Sequence, residues 1–365
     1  MSHAVRTPAM MRVRLAVRHT LAALQHERAE DQRLRPQSLA EQTPQRPLAL
    51  VALSGGADSL TLAAAAALEA AAAGARIGAV IIDHQLQPGS AEVAQAAAAQ
   101  ATTLGLAPVI VRTVHVAVRR DGSDGATEAA ARTARYDAIS QVAVELGAAW
   151  VFTAHTRDDQ AEQVLLALAR GSGTRSLAGI PPVRPLADTV LLVRPLLDER
   201  SEVTRDTTVA ACREVGLDPW QDPHNADPTF TRVRVRNQVL PVMQAELGHA
   251  VAANLARSAD LAREDADALD ALASKLCDAI LDLTHVPHTA ALAVSALADQ
   301  PSALRNRVIR LAARRLLGTQ LTRGHTLAIA SLITDWRGQG PIQVPGATVS
   351  RRAGQIVFRA ATSAR

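Results

Sequence analysis

A run of six small and polar residues, Ser54 to Ser59, has the composition of a phosphate-binding loop. The run is Ser-Gly-Gly-Ala-Asp-Ser and directly follows the apolar segment 48–53. Two glycines let the backbone turn with several N–H groups facing one point, and a helix beginning there adds the positive end of its dipole. Asp58 would repel bare phosphate, but not when Mg²⁺ lies between them. The run therefore predicts a site for a Mg²⁺-nucleotide, with Asp58 as the metal ligand.

A glycine turn with a capping serine or aspartate is the simpler explanation of a single Gly-Gly pair. The run is not a Walker A loop, because that loop needs a lysine and the chain has one lysine, Lys275, far away in sequence. The complete run instead resembles the phosphate loop of the PP-loop ATPases, which cleave ATP between the α and β phosphates and adenylate a substrate oxygen. This resemblance implies ATP as the nucleotide and six binding residues: Ser54, Gly55, Gly56, Ala57, Asp58 and Ser59.

A second group of polar residues follows the apolar segment 150–154. His155 comes first, and Asp159 and Glu162 follow at a spacing that places both carboxylates on one face of a helix. Paired carboxylates could bind a metal, act as a base or hold an ammonium group. The simpler explanation is the favourable effect of acids in a first helical turn. The position of His155 at a strand end favours a functional role.

The elements that would position these residues alternate between strands and helices. After the first strand, we predict strands at 77–82, 108–114 and 150–154, and helices at 90–104, 127–146 and 158–169. This alternation predicts an α/β fold with a doubly wound, Rossmann-like parallel sheet. Ligands of such sheets bind at the carboxyl ends of the strands, so segments 54–59, 83–84 and 155–159 are expected to share one crevice.

The rest of the chain divides less regularly. Val13, Val17, Leu21 and Leu24 have helical spacing, and a polar linker is predicted at 25–46. Loops over the crevice are predicted from 174 to 200, followed by a helix at 201–215. A small, basic, mainly helical domain is expected at the C-terminus, ending in a strand pair at 342–344 and 355–358. The predicted parts are 1–47, 48–240 as the catalytic domain, 241–286 as a helical connector, and 287–365.

Charge is distributed unevenly. Residues 301–365 contain 11 arginines and one acid, Asp335. Compositional bias would explain arginine in place of lysine but not the missing acids, so this segment predicts a nucleic-acid partner. No stretch approaches the roughly 20 apolar residues of a membrane span. Cys212 and Cys277 form no CxxC pair, and a reducing cytoplasm is expected.

The order and spacing of several motifs between about 48 and 245 resemble the tRNA(Ile)-lysidine synthetase family. The matching segments are 54–59, 83–90, 128–136, 155–162, 170–173 and 220–241. Segments 305–310 and 324–325 are similar to the small substrate domain of that family. Two departures lie at flanking positions, where this chain has Gln163 and Val233. The family has threonine and asparagine there, and we expect activity to survive both changes.

The resemblance implies a reaction. ATP adenylates the C2 oxygen of the wobble cytidine in the CAU anticodon of an isoleucine tRNA, and the ε-amine of free L-lysine then displaces AMP. It also implies roles: Asp83 and His155 bind the nucleotide, while Asp159 and Glu162 hold and deprotonate the lysine amine. Family members are often dimers, so a homodimer is also expected. The residues implied to contact tRNA, phosphate or the activated base are Glu128, Arg132, Arg135, Tyr136, Arg232 and Arg236.

Two other functions stay open at this stage. A PP-loop tRNA thiolase also adenylates a pyrimidine oxygen but then delivers sulfur, which generally needs cysteine pairs, and Cys212 and Cys277 lie outside every motif above. A nonenzymatic adenine-nucleotide-binding protein would need neither Asp159, Glu162 nor the basic C-terminal segment.

Overall fold

The computed structural model describes residues 7–34, 46–85, 87–115, 124–282, 289–318 and 320–361, with the backbone alone at 31–34 and 124–129. The chain divides into two compact units, Met1–Asp260 and Leu261–Arg365. The division falls inside one long helix, α10 (Val251–Ile280). The domain boundaries expected from the sequence stay predictions.

The first unit is built on a six-stranded sheet. Its strands are β1 (Leu48–Ala52), β2 (Arg76–Asp83), β3 (Val109–Thr113), β4 (Trp150–Phe152), β5 (Val183–Ala187) and β6 (Val190–Val193), in the order β3-β2-β1-β4-β6-β5. All neighbouring strands are parallel except β5 and β6. Every residue of β1 and β4 is buried, as expected for central strands covered on both faces. The predicted doubly wound parallel sheet is confirmed.

Helices connect the strands and continue beyond them. Their bounds are α2 (Ala57–Ala70), α3 (Ser90–Thr103), α4 (Asp124–Glu145), α5 (Arg157–Ala169), α6 (Thr174–Leu177), α7 (Arg205–Val215), α8 (Thr231–Arg234) and α9 (Leu240–Leu247), with a π-helical turn at Val235–Val239 between α8 and α9. Segments 53–56, 84–85 and 153–156 therefore leave β1, β2 and β4 at the same edge of the sheet. This edge is where the sequence places the crevice.

The segment predicted as loops over the crevice contains two strands instead. β6 extends the sheet beside β4, and β5 returns antiparallel to it as the edge strand. The prediction failed because β6 is only four residues long and prolines surround it. Pro185 is compatible with β5 because an edge strand leaves one row of N–H groups unpaired.

The N-terminal helix α1 (Pro8–Leu34) packs against α2 and α7. Val13, Val17, Leu21 and Leu24 are all buried, as their spacing predicts. The helix continues ten residues into the predicted polar linker, and 35–45 lie outside the described residues. α1 therefore belongs to the core of the first unit and supports the outer side of α7.

The second unit combines helices with an antiparallel sheet. After α10 come β7 (Leu281–Asp282), β8 (Thr289–Ala293), α11 (Val294–Ala298), α12 (Ser302–Leu317), α13 (Arg323–Thr334), β9 (Ile342–Val344), β10 (Ala347–Arg352) and β11 (Gln355–Ala360). The strand order is β7-β8-β11-β10-β9. A helical domain with one strand pair was predicted, so the sheet is larger than expected. No described helix of either unit has the length and apolar character to cross a bilayer.

The attachment of α1 generates a stability prediction. The Glu69 side chain on α2 is 4% exposed and pairs with Arg14 at 2.6 Å and Arg18 at 2.9 Å. Glu69→Gln should lower the free energy of unfolding by about 1–3 kcal/mol, because it leaves two arginines without their buried carboxylate. Glu145→Gln, at the exposed pair with Arg112, is the matched control and should cost less than about 1 kcal/mol. Equal losses in urea unfolding would contradict this account of α1.

Candidate functional site

The phosphate loop, residues 54–59, has an internal hydrogen-bond network. The Ser54 N–H donates to Ser59 Oγ at 3.1 Å, and Ser59 Oγ donates to the Gly56 carbonyl at 3.0 Å. Gly55 has φ +83°, a conformation that favours glycine. Its carbonyl accepts a hydrogen bond from the Trp220 N–H at 3.0 Å. The loop therefore reaches the start of α2 in a fixed shape that exposes Ser54 to the cleft.

Asp58 lies in the first turn of α2 and points toward α7. Its carboxylate accepts a short hydrogen bond from Thr208 Oγ1. Burial raises the pKa of Asp58, and the nearby Asp159 carboxylate raises it further, against the lowering effects of Thr208 and Arg205. The protein therefore compensates the negative charge of this carboxylate only in part, and this condition favours binding of an added cation.

Asp159 and Glu162 share one face of α5, as predicted. Asp159 Oδ2 accepts hydrogen bonds from the Thr156 N–H at 2.8 Å and Thr156 Oγ1 at 3.1 Å. Arg205 contacts both carboxylates, at 3.3 Å from Asp159 and 3.5 Å from Glu162. Burial by itself would raise the pKa of Asp159, but Arg205 and the bonds from Thr156 bring it below its usual range. Asp159 is thus an ionised acceptor at the cleft.

Glu162 is completely buried among arginines. Arg236 binds it with two hydrogen bonds, Nε to Oε1 at 2.7 Å and Nη2 to Oε2 at 3.2 Å. Arg232 Nε lies 3.2 Å from Oε2, and Arg232 Nη2 donates to Gln163 at 3.4 Å. Three cations, including Arg205, thus surround a single carboxylate. The side chain therefore lies behind the lining of the cleft. The sequence predicts instead that it faces the substrate beside Asp159.

Two histidines at strand ends are held neutral. Burial lowers the pKa of His155 to about 3, and its Nδ1 lies 3.2 Å from Thr153 Oγ1. Burial also lowers the pKa of His84, with Arg135 adding to the effect, and His84 Nδ1 is buried without a hydrogen-bond partner. Both rings are therefore available at neutral pH as hydrogen-bonding groups without charge.

Most of the predicted residues meet in one cleft of about 860 Å³. Those that line it are Ser54, Gly56, Ala57, Asp58, Ser59, Arg132, Arg135, Tyr136, His155, Asp159 and Arg236. A smaller adjoining cavity of about 190 Å³ is lined by Asp83 and His84, and Ser54, Arg135 and Trp220 line both. Gly55, Glu162 and Arg232 support the cleft without lining it, and the side chain of Glu128 lies outside the described residues.

Helix α7 contributes residues to the cleft that no sequence motif indicated. Arg205 contacts Asp159, while Thr208, one helical turn later, contacts Asp58. The same helix face adds Cys212 and Arg213 to the cleft. The spacing of these polar residues was visible, but it could not be interpreted without knowing that α7 faces the strand ends.

A cluster of arginines around Tyr136 was only partly expected. The guanidinium carbons of Arg132 and Arg184 lie 5.1 and 5.2 Å from the centre of the tyrosine ring. Burial alone would raise the pKa of Tyr136, but Arg132, Arg194 and Arg135 lower it. The cluster gives this side of the cleft a positive charge suited to phosphate or an electron-rich base.

The donor set fits Mg²⁺ when the phosphates of a nucleotide complete it. Among the described residues, no group of three or more His, Cys, Asp or Glu side chains is arranged to hold a metal by itself. Mg²⁺ is commonly bound by one or two carboxylates together with phosphate oxygens and water. Asp58, with its raised pKa and its place beside the phosphate loop, supplies such a carboxylate.

Two family models match most of the chain. Residues 27–243 match the family described as the PP-loop domain, and residues 292–357 match the TilS substrate binding domain. The tRNA(Ile)-lysidine synthase of Leifsonia xyli subsp. xyli is 50% identical over 330 residues, covering 88% of this chain and 95% of the relative. That of Salinispora tropica is 47% identical over 352 residues, covering 96% of each.

A solved structure gives independent support for the fold. The U34-tRNA thiolase NcsA from Methanococcus maripaludis superimposes with a TM-score of 0.50, covering 70% of this chain and 80% of its own. The two sequences are 15% identical, so the likeness concerns the fold alone.

The burial of His155 predicts a pH dependence of stability. Below about pH 6.5 the unfolded chain takes up a proton that the folded chain accepts only near pH 3. The stability that depends on a neutral His155 is fully present above pH 6.5 and is lost as the pH falls toward 3. Between pH 7 and pH 5, the free energy of unfolding of His155→Gln should therefore fall by about 2 kcal/mol less than that of wild type, as measured by denaturant unfolding. His26→Gln, at an exposed site, should follow wild type, and identical curves for all three proteins would refute the prediction.

Proposed function

The chain belongs to the tRNA(Ile)-lysidine synthase family, and from this premise we propose how its cleft carries out the reaction. The protein is a ligase that uses ATP to join L-lysine to C2 of the wobble cytidine of isoleucine tRNA with a CAU anticodon. The observation that supports the mechanism is that the phosphate loop and the Asp159 carboxylate open onto the same cleft.

We propose that the phosphate loop binds the triphosphate of ATP and that the smaller cavity, lined by Asp83 and His84, receives the adenine. The neutral, unpartnered Nδ1 of His84 is suited to a hydrogen bond with an uncharged base. Asp58 would hold Mg²⁺, which neutralises phosphate charge when it is bound. The C2 oxygen of cytidine forms a bond to the α-phosphorus while the bond to pyrophosphate breaks. Ser54 would orient the phosphates through its exposed hydroxyl group, and Ser59 would hold the loop in shape through its hydrogen bonds with Ser54 and Gly56.

Asp159 is proposed to receive the ε-ammonium group of lysine. An ammonium has no lone pair, so it must give up one proton before its nitrogen attacks C2. The carboxylate is ionised and lies at the cleft, so it can hold the ammonium. Its lowered pKa makes it a weak base, so it accepts this proton transiently and passes it to water. The C–N bond then forms as the bond from C2 to the adenylated oxygen breaks, AMP leaves with that oxygen, and the bonded nitrogen loses a second proton to water. Covalent activation thus divides one difficult displacement into two easier steps.

Glu162 is proposed to act through the arginines that surround it. Its carboxylate binds Arg205, Arg232 and Arg236, and Arg205 and Arg236 line the cleft. Direct contact with lysine would require displacing these three partners from a fully buried group. A positioning role explains the geometry better, because Glu162 fixes the two guanidinium groups that face the reacting phosphate and base.

The thiolase alternative is disfavoured. The chain has two cysteines, of which Cys212 lines the cleft and Cys277 belongs to the second unit, so the cleft lacks the cysteine pair that sulfur delivery generally uses. Burial raises the pKa of Cys212, which reduces the fraction of reactive thiolate.

The arginine-rich second unit is proposed to bind tRNA. Action in the cytoplasm on free L-lysine, and a homodimeric state, stay predictions.

The mechanism predicts that two aspartate variants fail at different steps. Asp58→Asn should abolish both tRNA-dependent pyrophosphate release and the transfer of labelled lysine, because the triphosphate loses its Mg²⁺ ligand. Asp159→Asn should still release pyrophosphate but transfer lysine at least about 100-fold more slowly, since the amine loses its acceptor. Asp188→Asn, at an exposed turn between β5 and β6, is the control and should match wild type.

Several outcomes would count against these roles. Wild-type protein that transfers no lysine to unmodified tRNA would contradict the proposed function. AMP release that depends on a sulfur donor would favour the thiolase. Loss of pyrophosphate release in Asp159→Asn would show that this carboxylate acts before the lysine step.

A further inference from the structure

An exposed tryptophan stands on the surface of the second unit. Trp336 follows the end of α13, and its side chain is 38% exposed. All eight residues of the surrounding segment 334–341 are exposed. The ring therefore offers a large, flat apolar face to solvent.

The segment holds Trp336 in a defined position. The Gln339 side chain binds the backbone of the residues before and after Trp336. It donates a hydrogen bond to the Asp335 carbonyl at 2.7 Å and accepts one from the Arg337 N–H at 2.7 Å. Gly338 has φ +85°, which permits the chain to turn back between these residues. The ring is therefore presented on a braced turn.

Arg351 on β10 packs against the ring. Its guanidinium carbon lies 5.3 Å from a ring centroid of Trp336, within the range of a cation–π contact. The same guanidinium donates to the Leu332 carbonyl at 2.9 Å, at the last turn of α13. The arginine is fixed by the helix and in turn fixes the tryptophan. Rigid aromatic rings of this kind lose little entropy when a second planar group stacks on them.

The charge around Trp336 indicates the class of partner. Residues 301–365 contain 11 arginines against Asp335 as the single acid. Arg337 is exposed next to Trp336 in sequence, and Arg351 lies against its ring. The residues just before the turn, Leu332 and Ile333, are buried, so Trp336 is an isolated aromatic group with Arg337 and Arg351 beside it. An apolar protein partner would need a wider patch. An aromatic ring among arginines suits a nucleotide, which brings a planar base and a phosphate together.

We propose that Trp336 and Arg351 form a stacking platform for one unpaired base of the tRNA substrate, with Arg337 contacting its phosphate. This inference rests on the proposed function for the identity of the RNA. It adds a non-ionic contact to a surface that otherwise attracts RNA through charge. The platform selects RNA with an accessible base over continuous duplex, because bases inside a helix are already stacked.

The test compares tRNA affinity across a series of salt concentrations for full-length variants. Trp336→Ala should weaken binding about tenfold at every salt concentration, with the slope of log K against log salt unchanged, because stacking releases no counterions. Trp336→Phe should bind within about threefold of wild type, since phenylalanine retains a face for stacking. Arg337→Gln should reduce the salt slope by about one. Leu327→Ala, which removes an exposed apolar side chain of α13, is the matched control and should bind as wild type does.

A fluorescence measurement separates the platform from a purely structural role. The emission of Trp336 is obtained as the difference between wild type and Trp336→Phe. A short single-stranded RNA should quench this emission, and the same sequence as a duplex should not. An anticodon stem-loop and an acceptor-stem minihelix, used as separate competitors, identify which unpaired region of tRNA supplies the base. Wild-type affinity in Trp336→Ala, equal weakening in Trp336→Phe, or equal quenching by duplex would overturn the proposal. Lysine transfer by wild type is assayed in parallel, so failure of the proposed reaction is distinguished from failure of RNA stacking.

Discussion

Three carboxylates, two buried and one partly buried, meet at one edge of the sheet, and this is the constraint on which the rest of the first unit depends. Asp58, Asp159 and Glu162 come from two helices that begin after β1 and β4, and the parallel sheet brings those beginnings together. Unpaired charges there would be strongly destabilising. Arg205 and Arg236 supply the compensation, and both come from segments that follow the sheet in sequence. The catalytic edge is therefore complete only when the later part of the chain has packed onto the first.

The position of α7 follows from this requirement. Its first turns carry Arg205 and Thr208 toward the acids, while its last turn is held by α1. Glu214 of α7 accepts a hydrogen bond from the Met10 N–H at 3.0 Å, at the start of α1, where a carboxylate also interacts favourably with the helix dipole. An N-terminal helix that does not line the cleft thus determines where Arg205 and Thr208 lie. The charges of the carboxylates are not compensated equally. Glu162 is fully paired, whereas Asp58 retains a raised pKa that suits it to bind an added cation.

Much of this arrangement could be predicted from the sequence because its signals are local. The phosphate loop, the alternating elements and the spacing of Asp159 and Glu162 each lie within a few consecutive residues, and the structure places them at one sheet edge. The partners of these groups could not be predicted in the same way. Arg205 lies 43 residues from Glu162, and the contact exists only because the start of α7 lies against the first turns of α5. The β5–β6 hairpin was missed because short strands between prolines have little periodicity, and Glu162 was assigned to the substrate because sequence spacing cannot show which carboxylate faces the solvent.

A double-mutant cycle between Arg236 and Glu162 tests the central claim most directly. Arg236→Gln leaves the buried Glu162 carboxylate without its bidentate partner, and Glu162→Gln leaves the partly buried Arg236 guanidinium without its own, whereas the double variant removes both charges. If mutual compensation governs this edge of the sheet, the double variant should be more stable than the sum of the single losses predicts, with a coupling energy of about 2 kcal/mol in the free energy of unfolding. Additive losses, with coupling near zero, would show that the carboxylate and the arginine are stabilised independently and would contradict the account.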